Sequence, residues 1–171
     1  MLRKPHLEKA HQFWKAHLRP ADAVIDATCG NGKDTAILAQ LVPQGYVYAI
    51  DIQEDAITSA ERNAPYPNIS FLRQCHTILP QDQRVRLVVY NLGYLPGGDK
   101  QLTTQTSTTL HSIQTAYDLL PEGGALSITC YPGHPEGAIE EKALQEWSRS
   151  LSKAEWSTWK DGSPTLLIAT K

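Results

Sequence analysis

Short apolar runs and helix-like segments alternate along this chain from residue 23 onward, and this alternation limits the fold more than any other feature. The apolar runs predict strands at residues 23–25, 45–50, 69–72, 85–90, 125–131 and 165–170. Helices are predicted between them at 35–41, 54–63, 106–120 and 135–151. Strands joined through helices need crossover connections, so we expect an α/β fold with a mainly parallel sheet and helices on both faces. A Gly-Ser-Pro turn at 162–164 predicts a C-terminal antiparallel hairpin.

An amphipathic helix is predicted before the first strand, at about residues 5–19. Its polar face carries five basic residues and one acid, namely Arg3, Lys4, Lys9, Lys15, Arg19 and Glu8. Two interpretations stay open, a solvated face of a packed helix and a patch that contacts RNA phosphates. Together with this segment (1–20), the 171 residues are predicted to form a single domain.

The composition excludes several classes of protein. A net charge of -2 is not that of a uniformly basic nucleic-acid coat, and no apolar run reaches the ~18 residues of a membrane span. The cysteines Cys29, Cys75 and Cys130 contain no Cys-x-x-Cys pair, so neither a disulfide framework nor a metal site is predicted. Because no secretory signal is recognisable, we expect a cytoplasmic location.

A glycine-containing turn follows the first predicted strand and is the strongest local motif. It runs from Asp26 to Asp34 as Asp-Ala-Thr-Cys-Gly-Asn-Gly-Lys-Asp, and Asp51 ends the second strand nineteen residues beyond Gly32. Glycines let the backbone approach a nucleotide-like ligand, and an acid at the second strand end can accept hydrogen bonds from ribose hydroxyls. The sequence therefore predicts a nucleotide-like cofactor at this edge of the sheet.

The charges at the turn indicate which cofactor this is. A dinucleotide site needs Gly-x-Gly-x-x-Gly, but Thr35 stands at the third glycine position and Asp26 lies where a pyrophosphate would go. S-adenosylmethionine has no phosphate and carries an ammonium and a sulfonium group, which nearby carboxylates attract. The motif therefore favours a methyl donor over nicotinamide or flavin.

These residues resemble the first motif of class I methyltransferases, with Thr28 at the first glycine position. The resemblance implies a Rossmann-like fold with a mainly parallel sheet of about seven strands. It also implies cofactor-binding roles for residues of the turn and of the next two strand ends. These are Asp26, Gly30, Asn31, Gly32 and Lys33 on the methionine side, Asp51 and Gln53 at the ribose, and His76 at the adenine.

The fourth predicted strand ends in Asn91-Leu92-Gly93-Tyr94, which resembles the Asn-Pro-Pro-Tyr loop of methyltransferases that act on exocyclic nitrogens. There an amide and a carbonyl accept hydrogen bonds from the target amine, and an aromatic ring stacks on the base. Methylation of a cytosine carbon would need a nucleophilic cysteine, but Cys75 and Cys130 lie outside this loop. A nitrogen acceptor is therefore predicted, with Asn91 and Tyr94 as catalytic candidates.

Three segments, at 26–35, 91–100 and 131–137, resemble the small bacterial and plastid family first labelled rRNA methylases and understood as tRNA wobble-uridine aminomethyl methyltransferases. The resemblance covers nearly the whole chain. It implies methyl transfer from S-adenosylmethionine to the amine of 5-aminomethyl-2-thiouridine in the tRNA anticodon, which gives 5-methylaminomethyl-2-thiouridine.

An alkylammonium must lose a proton before it attacks a methyl group, and Asp99 and His134 are the candidate proton acceptors. Tyr94 and Tyr131 are candidate platforms for the base, and Lys100 and His134 are further candidate substrate contacts. Asp99 has a competing interpretation as the partner of Lys100 or a turn cap.

The C-terminal tryptophans Trp147, Trp156 and Trp159 are interpreted as core or subunit-contact residues, and a homodimer through this region is one hypothesis. Two alternatives to the tRNA enzyme stay open. One is a methyltransferase for rRNA or a small-molecule amine, and the other is a non-catalytic RNA-binding module with a cofactor-shaped fold.

Overall fold

The computed structural model describes residues 3–93 and 106–171, and helices and strands alternate through most of this part of the chain. The helices are α1 (Pro5–His17), α2 (Lys33–Leu41), α3 (Glu54–Asn63), α4 (Thr106–Leu119) and α5 (Pro135–Ser148). The strands are β1 (Ala23–Asp26), β2 (Tyr46–Asp51), β3 (Ile69–Arg73), β4 (Val85–Asn91), β5 (Ala125–Cys130), β6 (Ala154–Ser157) and β7 (Thr165–Thr170).

The seven strands form one sheet in the order β3-β2-β1-β4-β5-β7-β6. The first five in sequence run parallel, whereas β7 is antiparallel to both β5 and β6. The predicted Rossmann-like sheet and its C-terminal hairpin are therefore confirmed. Strands β2 and β3 follow on one side of β1, and β4 pairs with the other side of β1. Ligands of open α/β sheets bind at such a reversal, at the carboxyl ends of the two strands.

Successive residues of β1 enter different hydrophobic clusters. Val24 packs in a cluster with Ala10 and Trp14 of α1, and Ile25 packs in a cluster with Ile113 of α4. Both strand residues are fully buried. This two-sided burial explains why the strands appear in the sequence as continuous apolar runs instead of alternating ones.

Helix α1 is an integral part of the core. Trp14 is buried, and its indole Nε1 donates to Ser127 Oγ of β5 at 2.9 Å. Lys9 on the polar face donates to the Glu155 carboxylate at 3.0 Å and to Ser157 Oγ at 2.6 Å, both in β6. None of the helices in the described ranges combines the length and apolar character needed to cross a bilayer.

Element boundaries differ from the sequence-based prediction at four helix ends, of which the end of α4, at Leu119, differs by one residue. Helix α1 ends at His17 and α5 at Ser148, which is two and three residues earlier than predicted. Helix α2 starts at Lys33, two residues earlier, because Gly32 adopts a left-handed conformation and its carbonyl accepts the Ala36 N–H at 3.0 Å. The segment around Trp156, to which the sequence assigns no bounds, contains strand β6, which pairs with β7 in the predicted hairpin.

Candidate functional site

Backbone hydrogen bonds hold the turn between β1 and α2. Cys29 N–H donates to the Ile50 carbonyl of β2 at 2.8 Å, and Gly32 N–H donates to the Cys29 carbonyl at 2.8 Å. Gly30 and Gly32 have φ values of 53° and 81°, in the left-handed region that favours glycine. The turn therefore has a defined shape at the carboxyl ends of β1 and β2.

Gly32 also allows two helices to approach each other. A Cβ atom at this position would lie 2.7 Å from the Cα of Ala60 in α3. Gly32 is buried, so its missing side chain serves the packing of α2 on α3. Beside it, the Asn31 carbonyl accepts a hydrogen bond from Asn63 Nδ2 at 2.8 Å.

Asp51 ties the end of β2 to the turn. Its Oδ2 accepts the Gly30 N–H at 3.1 Å, and its Oδ1 accepts the Gln53 N–H at 3.0 Å. Each carboxylate oxygen keeps a second lone pair for another donor. The structure thus brings together Asp51, Gly30 and Gln53, three of the residues predicted to bind the cofactor.

Asp26 lies beneath the turn and is fully buried. The Thr35 hydroxyl donates to its Oδ2 at 2.7 Å, and its buried Oδ1 has no hydrogen-bond partner among the described residues. Burial raises the pKa of Asp26 to about 7, the Thr35 hydrogen bond opposes this shift, and the charge of Asp34 adds to it. A cationic ligand group near Oδ1 would favour the charged carboxylate.

His76 follows β3 and is half-buried beside the ring of Tyr90, edge to face at 6.0 Å. Burial lowers its pKa, and the negative charge of Asp51 opposes the shift. His76 Nδ1 is buried and has no partner in the described part of the chain. Two apolar residues that sequence reasoning missed, Ile52 and Ile78, are exposed by 66% and 62% in the segments that follow β2 and β3.

Asn91 ends β4, and two residues from the turn and α2 hold it. Its backbone N–H donates to Thr28 Oγ1 at 2.6 Å, and its side-chain Nδ2 donates to Asp34 Oδ2 at 3.0 Å. Thr28, which stands at the motif's first glycine position, therefore links the ends of β1 and β4. The geometry brings Asn91 and the cofactor motif to the same edge of the sheet.

Asp34 and His11 are site residues that sequence reasoning missed. Asp34 lies in the first turn of α2, and its Oδ1 is 2.8 Å from His11 Nε2 of α1. Asp34 stands inside the recognised motif, but its contacts depend on a helix that starts 29 residues earlier in the sequence. Nothing in the amphipathic pattern of α1 distinguishes His11 from a solvated side chain.

An aromatic cluster of His6, Tyr131 and Trp159 lies at the same edge. The His6 ring meets the ring of Tyr131 at 6.0 Å and that of Trp159 at 6.3 Å, both edge to face. Burial raises the pKa of Tyr131 to about 12, with a further contribution from the charge of Asp34. Trp159 is 38% exposed and is therefore not a core residue, while its alternative interpretation as a subunit contact stays a prediction.

His134 caps helix α5. Its Nδ1 accepts the Gly137 N–H at 3.1 Å, so in the neutral ring the proton lies on Nε2. A Cβ at Gly137 would lie 2.0 Å from the Tyr131 carbonyl, which shows how closely the helix start packs on this segment. The lone pair that a proton acceptor would use is therefore occupied by the cap, and the structure argues against His134 as the base.

The basic residues of the N-terminal segment (1–20) are not all free to contact RNA. Arg3 pairs with Glu8 at 3.2 Å, and Lys9 is bound to β6. Lys15 and Arg19 are exposed near the opposite end of the helix. Lys33, at the start of α2, is also exposed.

Three further predicted site residues, Tyr94, Asp99 and Lys100, lie outside the described residues. Cys29 and Cys130 are buried, and burial raises the pKa of each thiol above its usual range. Neither thiol has the accessible, low-pKa character of a nucleophile.

Comparison with known proteins gives concordant matches. The family model described as "Putative rRNA methylase" matches residues 47–163. A chloroplastic tRNA (mnm(5)s(2)U34)-methyltransferase of Arabidopsis thaliana is 39% identical over 90% of this chain. The chain spans 62% of the length of that plant protein.

Two solved bacterial structures resemble the whole chain. The crystal structure of a protein from Clostridium thermocellum, described as an rRNA methylase, is 30% identical, has a TM-score of 0.90 and covers 100% of both chains. A methyltransferase from Streptococcus mutans in complex with SAH is 28% identical, has a TM-score of 0.85, and the match covers 100% of this chain and 99% of that one. The chain therefore belongs to the family described as "Putative rRNA methylase".

Proposed function

We propose that this protein transfers a methyl group from S-adenosylmethionine to the amine of 5-aminomethyl-2-thiouridine at the tRNA wobble position, giving 5-methylaminomethyl-2-thiouridine. The observation that carries the proposal is Asn91, which lies at the end of β4 and is joined to the glycine turn through Thr28. An amide that can accept from an amine thus lies beside a turn suited to a methyl donor. The name of the Arabidopsis relative supports tRNA as the substrate.

The residues at the turn fit S-adenosylmethionine. Asp26 offers a buried Oδ1, unpartnered among the described residues, to an ammonium group, and Asp51 has lone pairs left for ribose hydroxyls. Ile52 and the half-buried His76 provide apolar and ring surface for adenine. Gly30, Asn31 and Lys33 complete the methionine side, while Gly32 shapes the turn. We call this set, with Gln53, the donor half of the site.

The opposite side of the cleft would hold the acceptor. The acceptor half consists of Asn91, Asp34, His11, His6 and Tyr131. The side-chain oxygen of Asn91 would accept an N–H of the neutral amine, and Tyr131 would provide an aromatic surface for the base. Tyr94, Lys100 and His134 stay candidate substrate contacts, and Tyr94 and Asp99 stay catalytic candidates.

Methyl transfer to nitrogen is an in-line displacement in which the amine lone pair forms the new N–C bond while the S–C bond breaks. S-adenosylmethionine supplies an activated methyl group when bound. The protein has to orient the amine, exclude water and keep the lone pair free of a proton. A partly desolvated pocket lowers the pKa of the alkylammonium, which favours the reactive neutral form.

RNA is the proposed partner, through the anticodon region. We propose that residues 1–171 act as one catalytic domain in which α1 is part of the site and not a separate arm. The exposed Lys4 and the aromatic cluster lie where α1 begins, so an anticodon loop would meet both. A homodimer and a cytoplasmic location stay predictions of the sequence.

The test of the proposal combines modified-nucleoside analysis with one variant. Loss of methylaminomethyl-thiouridine from the tRNA of a deletion strain, detected by mass spectrometry, is expected, together with accumulation of the aminomethyl form. Purified Asn91→Ala is expected to retain its affinity for S-adenosylmethionine in calorimetry but to lose about 100-fold in transfer to that tRNA.

Gln114→Ala, an exposed amide change on α4, is the matched control and is expected to leave transfer unchanged. Unaltered tRNA together with changed rRNA nucleosides would instead assign the enzyme to rRNA. Binding of RNA without binding of S-adenosylmethionine would favour the non-catalytic module. Near-normal turnover by Asn91→Ala would remove Asn91 from the mechanism.

A further inference from the structure

We infer that Asp34 is a positioning residue that sets the orientation of the Asn91 carboxamide, and that His11 of helix α1 holds Asp34 in place. This inference rests on the proposed role of Asn91 as the acceptor of an amine hydrogen bond. The observation behind it is the continuous contact of Asn91 Nδ2 with Asp34 Oδ2 at 3.0 Å and of Asp34 Oδ1 with His11 Nε2 at 2.8 Å.

The two ends of a carboxamide group have nearly the same shape but opposite hydrogen-bonding properties. Its NH₂ group donates, its oxygen accepts, and rotation by 180° exchanges them. An ionised carboxylate only accepts, so Asp34 binds the NH₂ of Asn91 and disfavours the rotated form, which would place two acceptors together. With Nδ2 bound to Asp34, Oδ1 of Asn91 is left as the atom that can accept an amine N–H.

The carboxylate of Asp34 is itself held on its other side. Its side chain is 16% exposed and lies between the Asn91 amide and the His11 ring. The His11 ring packs on Trp14 at 4.8 Å, and Trp14 donates to Ser127 at 2.9 Å. A line of contacts thus joins β5, α1, α2 and the end of β4.

The Asn91 backbone has a separate support. Its N–H donates to Thr28 Oγ1 at 2.6 Å, and this contact does not involve Asp34. Removing the Asp34 carboxylate should therefore release the side-chain amide while the end of β4 keeps its place. This separation allows a positioning role to be distinguished from a general structural one.

The kinetic test uses Asp34→Ala with Asp118→Ala, an exposed acid of α4, as the matched control. We expect Asp34→Ala to lower kcat about tenfold, with the RNA KM and the cofactor Kd within about threefold of wild type. Asp34→Asn retains one oxygen that can accept from Asn91 Nδ2, so it should recover part of kcat. In the Asn91→Ala background, Asp34→Ala should lower kcat almost no further.

A measurement independent of activity is the Asn91 side-chain NH₂ signal in ¹H–¹⁵N NMR spectra, assigned by its disappearance in Asn91→Ala. We expect this pair to exchange slowly in wild type and in Asp118→Ala, and at least about tenfold faster in Asp34→Ala. Unchanged exchange would overturn the inference even if no RNA substrate were found.

The kinetic outcomes separate the inference from the proposed function. A large loss in Asn91→Ala with normal kcat in Asp34→Ala would overturn the role of Asp34 and leave the proposed function standing. Additive losses in the double variant would show that Asp34 acts independently of Asn91. A weakened cofactor Kd with unchanged kcat would instead assign Asp34 to the donor half.

Discussion

The donor and acceptor halves of the proposed site are built in different ways. The donor half is held mainly by backbone groups, as in the Cys29 N–H to Ile50 carbonyl bond and the Gly32 N–H to Cys29 carbonyl bond. The acceptor half is held by side chains of several elements, such as the Asn91, Asp34 and His11 contacts. A backbone-built pocket tolerates many side-chain changes, whereas a side-chain network depends on each of its members.

The difference predicts where substitutions will act. In the donor half, a change should act on folding or on cofactor affinity, because the same groups shape the turn and would face the ligand. In the acceptor half, a change should act on turnover or RNA affinity and leave the turn intact. Substitutions in each half test whether the effects on folding and cofactor affinity are in fact separate from those on turnover and RNA affinity.

The largest effect is expected for Gly32→Ala. The new Cβ would lie 2.7 Å from the Ala60 Cα, and the residue would have to keep a φ of 81°. We expect a loss of about 3–4 kcal/mol in the free energy of unfolding, from the left-handed conformation and the overlap with α3 together. Urea denaturation measures it.

Gly123→Ala is the matched control for this effect. Gly123 has a φ of 82°, and a Cβ there would meet nothing within 4 Å. Its cost should be only the conformational part, about 1 kcal/mol. Equal losses in the two variants would show that packing of α2 on α3 does not constrain the turn.

Asp26 tests the buried part of the donor half through pH. Its pKa of about 7 in the folded state lies above the ordinary value of 3.8, so the folded protein keeps a proton that the unfolded chain has lost. The contribution of Asp26 to the free energy of unfolding should therefore fall as pH rises from about 4 to 7 and then stay level. Relative to Asp26→Asn, the free energy of unfolding of the wild type should fall by about 2 kcal/mol between pH 5 and pH 7.

Denaturation of the cofactor-free protein at several pH values measures this difference. Asp118→Asn replaces an exposed acid, and its free energy of unfolding should differ from that of the wild type by a constant amount over the same pH range. A pH-independent difference between wild type and Asp26→Asn would mean that Asp26 titrates as an ordinary carboxyl group.

The same contrast explains how much of the molecule the sequence predicts. The strands and helices follow from apolar runs and turns, and helix α3 is predicted at its observed bounds. The elements around the donor half are local in sequence, since the turn and Asp51 follow two consecutive strands. The acceptor half brings His6 and His11 of α1 to Asp34, Tyr131 and Trp159, and no local pattern indicates that contact.

The predicted start of helix α2 is wrong for a related reason. The apolar periodicity of α2 starts at Thr35, but the helix starts at Lys33 because the left-handed Gly32 ends the turn there. Periodicity reports which side chains are buried and not where the backbone hydrogen bonds begin. That shift of two residues places Asp34 in the first helical turn, where it meets His11 and Asn91.

Asp51→Ala tests the half-buried ribose side of the donor half. It removes the acceptor proposed for the ribose and also the partner of the Gly30 N–H. Charge-assisted hydrogen bonds are worth about 1.5–3 kcal/mol, so we expect the cofactor Kd to rise about thirtyfold in calorimetry. Asp118→Ala should bind normally, and an unchanged Kd in Asp51→Ala would contradict the cofactor assignment.

The smallest effect is expected in the acceptor half, at Tyr131. This ring packs edge to face on His6 and lies beside Gly93, where a Cβ atom would be 3.8 Å from the Tyr131 ring. If it supports the substrate base, Tyr131→Ala should raise the RNA KM about fivefold, because base stacking on an aromatic ring contributes about 1–3 kcal/mol and His6 and Trp159 stay in place. Tyr131→Phe retains the ring and should behave as wild type, and both variants should keep the cofactor Kd.

A fall in cofactor affinity in Tyr131→Ala would show that the two halves share this residue. An equal rise in the RNA KM in Tyr131→Phe would assign the effect to the hydroxyl and not to stacking.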